Sequence, residues 1–170
     1  EVKRTVLDVI VPVYRGVKQT RVCLQSVLGV QQVLDCEVVV IDDATPEPEL
    51  AAYLDRLAQS SLITLVRNDR NLGFVVSVNR GMSLHPDRDV VLLNSDTEVA
   101  NDWLDRLHRC AYSQPNVGTV TPFSNSATIC SYPFDGWQGG VPGTLGLSAL
   151  DRLFAVQNAG RCLDLPTAVG

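Results

Sequence analysis

Short runs of aliphatic, β-branched residues recur along this chain, each closed by a polar cluster and followed by a helix-length segment. Val6–Val13 (VLDVIVPV) is the first, closed by Tyr14, and Glu37–Ile41 (EVVVI) is the second, ending in Asp42 and Asp43. Leu62–Val66 is the third, Val90–Leu93 the fourth with Asn94–Glu98 behind it, and Val117–Thr121 reads as a fifth. Between them the apolar spacing predicts helices. Cys23, Val27 and Val30 share one face within Lys18–Val30, and Leu50, Leu54 and Leu57 share another. Thr45 reads as the N-cap of that second helix and Pro46 as its first residue. Asn71-Leu72-Gly73 turns into a helix from Phe74 to about Leu84. Asn101 caps one that turns Trp103, Leu104, Leu107 and Ala111 inward, and Ser148–Ala159 is the last. Continuous apolar strands alternating with amphipathic helices predict an α/β fold. Its sheet is mostly parallel, with helices on both faces and right-handed crossovers.

Composition narrows the function. The 170 residues suit one domain, and with 45% hydrophobic and 19% charged residues they can bury a core. A net charge of −5 argues against nucleic acid as a partner, because phosphate contacts need a basic face. Five scattered cysteines without a C-x-x-C pair read as buried thiols of a reducing compartment. Two histidines, His85 and His108, are too few for a His-built metal cluster. Neither a signal peptide nor a transmembrane run is visible, so the expected location is cytoplasmic, at most peripheral at the inner face of the plasma membrane. The chain opens on Glu1 and its one methionine is Met82, which predicts a piece cut from a longer protein. The first 109 residues hold 28 of the 33 charged side chains, and residues 110–150 carry six Gly and four Pro. That later stretch reads as a long loop, a feature usually functional or mobile.

In an open parallel sheet, ligands bind beyond the carboxyl ends of the strands. Pro12–Gly16, Asp42–Thr45 and Asn94–Glu98 all follow strands, and Asn71–Gly73 at a helix start can reach the same rim. Asp42 and Asp43 can accept hydrogen bonds from a base N–H or a ribose hydroxyl; the plainer reading is a helix cap and a solvated acid. Asp96, beside Ser95, Thr97 and Glu98, suits Mg²⁺ or Mn²⁺, which take oxygen ligands; otherwise this is a solvated turn. Gly73 permits either close approach of a ligand or a tight helix entry. Arg67, Arg70 and Arg80 flank the region, where one can meet a diphosphate or all can be solvated. Trp137 either stacks on a sugar or plugs the core, and the cysteines and histidines are assigned to packing or surface. No G-x-G-x-x-G follows the first strand, and neither G-x-x-x-x-G-K-[ST] nor G-x-S-x-G occurs. A phospho-receiver domain would need a later lysine, and the lysines are Lys3 and Lys18.

Four segments in this order resemble a family 2 glycosyltransferase of the GT-A fold: VIVPVY (9–14), VVVIDDAT (38–45), NLGFVVSVNRG (71–81) and VLLNSDTEV (91–99). GTVTPFSN (118–125) is similar to the next segment of bacterial members that build O-antigen and other surface polysaccharides. The resemblance implies a Rossmann-like nucleotide-diphospho-sugar fold. It implies an inverting, metal-dependent transferase that passes a sugar from a UDP-, dTDP- or GDP-linked donor to a glycan or lipid-linked acceptor. By position, Pro12, Val13 and Tyr14 would edge the nucleotide pocket, and Asp42 would bind the base with Asp43 beside it. Asn71 and Gly73 would border the nucleotide, Asn79 would support their helix, Ser95 would lie near the ribose and Asp96 would hold the metal. Asn94 stands where the family's D-x-D has its first Asp, and Ser77-Val78-Asn79 stands for its A-x-N. The family's general base is an acid in a downstream E-D-like motif; after Asp135 the only acids are Asp151 and Asp164, neither in such a motif. Residues 1–170 are therefore expected to form one GT-A-like fragment. Residues 1–122 would be the nucleotide-sugar core, and 123–170 a loop and helix leading to the acceptor half. On its own such a fragment binds donor without turning it over. The rival class is a non-catalytic sugar-nucleotide or scaffold module. A sugar nucleotidyltransferase, which begins with a Gly-rich basic loop, is poorly matched by Arg15-Gly16 alone.

Overall fold

The computed structural model describes residues 6–30, 32–125, 130–131, 145–158 and 160–164. The chain forms two compact units, Glu1–Val99 and Ala100–Gly170.

The first unit alternates β1 (Val6–Val13), α1 (Val17–Leu28), β2 (Asp35–Asp42), α2 (Pro48–Gln59), β3 (Thr64–Arg67), α3 (Phe74–Met82) and β4 (Asp89–Leu92). The four strands make one parallel sheet in the order β3-β2-β1-β4. The central strands are the most apolar because both their faces are covered: Val9, Ile10, Val11, Val39, Val40 and Ile41 are fully buried. Leu24 and Val27 of α1 and Leu50 and Leu54 of α2 add the helical share of the core. α3 comes closer than a side chain would allow. A Cβ on Gly81 would lie 2.7 Å from Cγ2 of Ile10, so only glycine lets this helix settle on β1.

Several element boundaries differ from the sequence expectation. α2 starts at Pro48, not Pro46. The residue before a proline is pushed out of the helical region, and Glu47 is accordingly extended (φ −97°, ψ 104°). Thr45 instead donates its N–H to Asp42 Oδ1 at 2.8 Å, closing a side-chain turn. β3 is displaced toward the carboxyl side, to Thr64–Arg67, because the end of α2 runs on through the Leu62 N–H bond to the Leu57 carbonyl.

The second unit holds α4 (Trp103–Ala111) and α5 (Leu147–Gln157). Asp102 is the N-cap residue of α4, not Asn101, which takes a left-handed backbone (φ 54°). The Asn101 side chain turns to α5, donating to Asp151 Oδ2 at 2.7 Å, and Arg106 reaches Asp151 Oδ1 at 2.6 Å. Val117–Thr121, read as a fifth strand, joins no ladder among the described residues; Gly118 inside it and Pro122 after it weaken a strand. An isolated bridge joins Ser124 to Ser131. Cys110 and Cys162 form a disulfide with Cα atoms 6.5 Å apart, against the expectation of free thiols throughout. The chain after α5 returns to the end of α4, and a separation of 52 residues leaves no spacing pattern to read. Trp137 lies outside the described residues. Among those described, no helix is long and apolar enough to cross a membrane.

Candidate nucleotide-binding site

The parallel register delivers the polar clusters of the first unit to one rim. Three backbone bonds prolong the ladders past the strand ends: Asp43 N–H to Val13 O at 2.7 Å, Asn68 N–H to Asp42 O at 2.9 Å, and Leu93 N–H to Ile10 O at 3.0 Å. Above them opens a cleft of about 220 Å³. Pro12 and Val13 line it from β1, Tyr14 and Arg15 from the turn after it, Asp43 from just past β2, Phe74 and Ser77 from α3, and Asn94 and Ser95 from the turn after β4. Of the residues singled out in the sequence, Pro12, Val13, Tyr14, Asp43, Asn94 and Ser95 therefore come together.

The two adjacent acids are placed differently. Asp42 is buried and committed inside the protein: its Oδ1 accepts from Thr45 N–H at 2.8 Å and its Oδ2 from Arg67 Nε at 2.9 Å. Asp43 faces the cleft while only 4% exposed. Its Oδ1 accepts from Asn68 Nδ2 at 2.7 Å and Leu72 N–H at 2.8 Å, and its Oδ2 from Gly73 N–H at 2.8 Å. Burial pushes the Asp43 carboxyl up, but the donors from Leu72, Asn68, Gly73 and Ser77 outweigh it, so the net shift is downward. The cleft thus contains an ionised carboxylate, an acceptor-only group.

Gly73 matters through its backbone conformation. A Cβ there would meet nothing within 4 Å, but its φ of +83° with ψ of 168° is a region other residues avoid. That conformation aims its N–H at Asp43 and opens α3. Asn71 Oδ1 also accepts from Gly73 N–H, at 3.0 Å, and the Asn71 side chain holds the Tyr14 hydroxyl, which with help from Arg15 lowers the phenol below its usual range. The Arg15 guanidinium lies 5.2 Å from the Tyr14 ring centroid. Asn79 is exposed, nearly two turns along α3 from the rim.

Asp96 is exposed on the turn after β4, with Asn94 and Ser95 before it. The turn is closed by Thr97 N–H to Asn94 O at 3.0 Å and anchored from below by the Cys23 thiol, 3.5 Å from the same carbonyl. Burial, with the charge of Asp96 adding, pushes Cys23 up to about 12, so it stays a thiol and can donate. One carboxylate among neutral oxygen donors fits a hard divalent cation that keeps waters and takes its remaining ligands from phosphate.

A second oxygen- and nitrogen-rich group lies elsewhere. Asp8, Glu37 and His85 cluster within ligand distance of one another. Asp8 is five residues before Val13 on β1, about 16 Å from the rim. Arg88 Nη1 already sits between its carboxylates, 2.8 Å from Asp8 and 2.6 Å from Glu37, while His85 Nδ1 is 2.8 Å from Asp8. This is an ion-pair and hydrogen-bond network at the far end of the sheet, not a partner of the cleft.

Arg67 and Arg80 are used internally. Arg67 serves Asp42 and Asp55, and Arg80 serves the Arg67 carbonyl and Asn68. The cation that lines the cleft is Arg15. Sequence reasoning gave Phe74, Ser77 and Asn68 no place in the site, and took Arg15 only as part of the Pro12–Gly16 rim cluster. Asn68 follows a strand as Asp43 and Asn94 do, so the same rule that found them would have found it. Glu47 was also missed, and nothing local signals it: it reaches back to the N–H groups of Gly16 and Val17 at 3.1–3.2 Å, filling the N-terminus of α1 that a dinucleotide fold would keep for phosphate.

The model of the family described as glycosyl transferase family 2 matches residues 8–128, well over half of the chain. The chain belongs to that family. No curated protein sequence matches it. Among solved structures, S. aureus TarS in complex with UDP is similar at 17% identity and a TM-score of 0.53, over 71% of this chain and 40% of that one. The mannosyltransferase PcManGT from Pyrobaculum calidifontis, in complex with GDP-Man and Mn²⁺, is similar at 24% identity and 0.53, over 69% and 35%. GalNAc-T7 with UDP, GalNAc and Mn²⁺ is similar at 21% identity and 0.50, over 63% and 21%. These likenesses establish a GT-A-like fold for this family 2 chain. It spans well under half the length of each of them.

Proposed function

We propose that this chain is the donor-binding portion of an inverting glycosyltransferase that moves a sugar from a nucleotide-diphosphate sugar to a glycan or lipid-linked acceptor in bacterial surface-polysaccharide synthesis. The observation that carries the reading is Asp43, an ionised carboxylate held in a cleft at the carboxyl ends of parallel strands. An acceptor-only group there suits the ring N–H of uracil, thymine or guanine. Complexes of the similar proteins with UDP and with GDP-Man support that ligand class. Asp43, rather than Asp42, is the base-binding acid in this account, because Asp43 lines the cleft and Asp42 does not.

Asp96, with Asn94 and Ser95, would hold Mg²⁺ or Mn²⁺, which supplies charge to offset that developing on the departing diphosphate. Arg15, which lines the cleft, can add a second positive charge. Tyr14 and Phe74 offer ring faces to the nucleoside. The core of this reading is residues 1–122, with 123–170 leading toward an acceptor-binding half. No residue of this chain is assigned as the base that deprotonates the acceptor hydroxyl. The coverage of the similar proteins leaves room for it elsewhere in a longer chain.

Calorimetric titration with UDP, dTDP and GDP, each with and without Mn²⁺, tests the proposal. Metal-strengthened binding of one of them, weakened in Asp96→Ala, is expected. Binding of none would favour a scaffold module that keeps the fold without the ligand.

A further inference from the structure

Directly beneath the cleft lies a buried amide that the sequence did not single out. Asn68 stands at the end of β3, 5% exposed, and does not itself line the cleft. Its Nδ2 donates to Asp43 Oδ1 at 2.7 Å and to Ser77 Oγ at 3.0 Å, which uses both amide hydrogens on two groups that do line it. Its Oδ1 accepts from Arg80 Nη1. The amide has one tolerable orientation. Flipped, its oxygen would face the Asp43 carboxylate and its NH₂ the Arg80 guanidinium.

The donors around Asp43 show what this does. Asp43 Oδ1 accepts two bonds, from Asn68 and Leu72. Oδ2 accepts from Gly73 N–H, and the Ser77 hydroxyl is a further donor to the same carboxylate. We infer that Asn68, oriented by Arg80, is a positioning residue for nucleotide recognition: its bond to Oδ1 fixes the Asp43 carboxylate in the orientation in which the cleft presents it to a base N–H. This deepens the donor-site reading above and rests on it.

The test compares wild type with Asn68→Asp and Arg80→Met, titrating UDP, dTDP and GDP with Mn²⁺ at about pH 8 and about pH 5.5. Asn68→Asp is isosteric but sets a carboxylate against Asp43. Affinity for the nucleotide that wild type binds should fall about 10- to 100-fold at the higher pH. At the lower pH, a proton shared by the two carboxylates restores the donor. The loss relative to wild type should then shrink to within about threefold. Arg80→Met should lose about three- to tenfold at both. Unchanged binding by Asn68→Asp at pH 8, or a loss equal at both pH values, overturns the inference. If Asn68→Asp does not fold, the wild-type side-chain NH₂ resonances of Asn68 decide: they should shift on nucleotide addition, and fixed resonances overturn the role. A wild type that binds none of the three nucleotides sinks the donor-site reading and this inference with it. Wild-type binding with an indifferent Asn68→Asp sinks this inference alone.

Discussion

At the scale of single residues, Asp42 and Asp43 are neighbours in sequence with opposite duties. Asp42 is the last residue of β2 and Asp43 the first beyond it, and their side chains reach different surroundings. One acid goes to the joint between β2, β3 and α2, where Arg67 and the Thr45 N–H take both its oxygens. The other goes to the cleft. Asp42→Asn should therefore lower thermal stability, by about 1–3 kcal/mol from the weakened charged bonds, and leave nucleotide affinity within a few-fold. A thermal melt beside a titration checks it; loss of affinity with an unchanged melt would reverse the assignment. Asp43 also makes a pH prediction. Its pKa is lower folded than its ordinary 3.8, so its bonds stabilise the fold fully above that value. The contribution fades as pH falls below about 4, toward the folded pKa. Acid unfolding of Asp43→Asn should accordingly be less steep than that of wild type across that window. Equal steepness would mean the carboxylate is not held as described.

At the scale of elements, α3 depends on two glycines for different reasons. Gly81→Ala places a methyl 2.7 Å from the fully buried Ile10 and should cost about 1–3 kcal/mol through overpacking, with affinity preserved in the folded fraction. Gly73→Ala meets no atom but must hold φ near +83°, and should cost about 1–3 kcal/mol while also weakening nucleotide binding, because its N–H is one of the groups that hold Asp43. Urea melts and titrations of the pair separate the two effects. A Gly73→Ala variant that binds like wild type would detach the α3 entry from the site. These elements also show what a sequence exposes. The β1 and β2 runs were legible because a strand buried on both faces must be apolar throughout, and the rim residues were legible because a polar cluster must follow it. The start of α2 was misplaced because Thr45-Pro46 and Glu47-Pro48 both satisfy helix-start rules, and only the side-chain turn from Asp42 decides between them. Val117–Thr121 was misread because β propensity says nothing about whether a partner strand is present. Glu47 on the α1 terminus depends on tertiary proximity over 31 residues, beyond any local pattern, whereas Asn68 directly follows β3 and was open to the same rule that found Asp43.

At the scale of the whole molecule, the first unit brings a cleft and an oxygen-donor turn to one rim of a parallel sheet, and the family match runs through it and beyond, to residue 128. The far end of the same sheet is closed by Asp8, Glu37, His85 and Arg88, so charge is present at both ends but exposed to ligand at one. Donor binding and turnover should therefore separate. This chain should bind a nucleotide diphosphate in a metal-dependent way yet release no free nucleotide from the corresponding donor sugar when an acceptor is supplied. Steady turnover would place a base within these residues. The most direct measurement is a side-by-side calorimetric titration of wild type, Asp42→Asn and Asp43→Asn with the nucleotide diphosphate that wild type binds, in Mn²⁺. The account predicts near-wild-type affinity for Asp42→Asn and a loss of about 10-fold or more for Asp43→Asn. Equal affinities for wild type and Asp43→Asn, or a loss confined to Asp42→Asn, would contradict it.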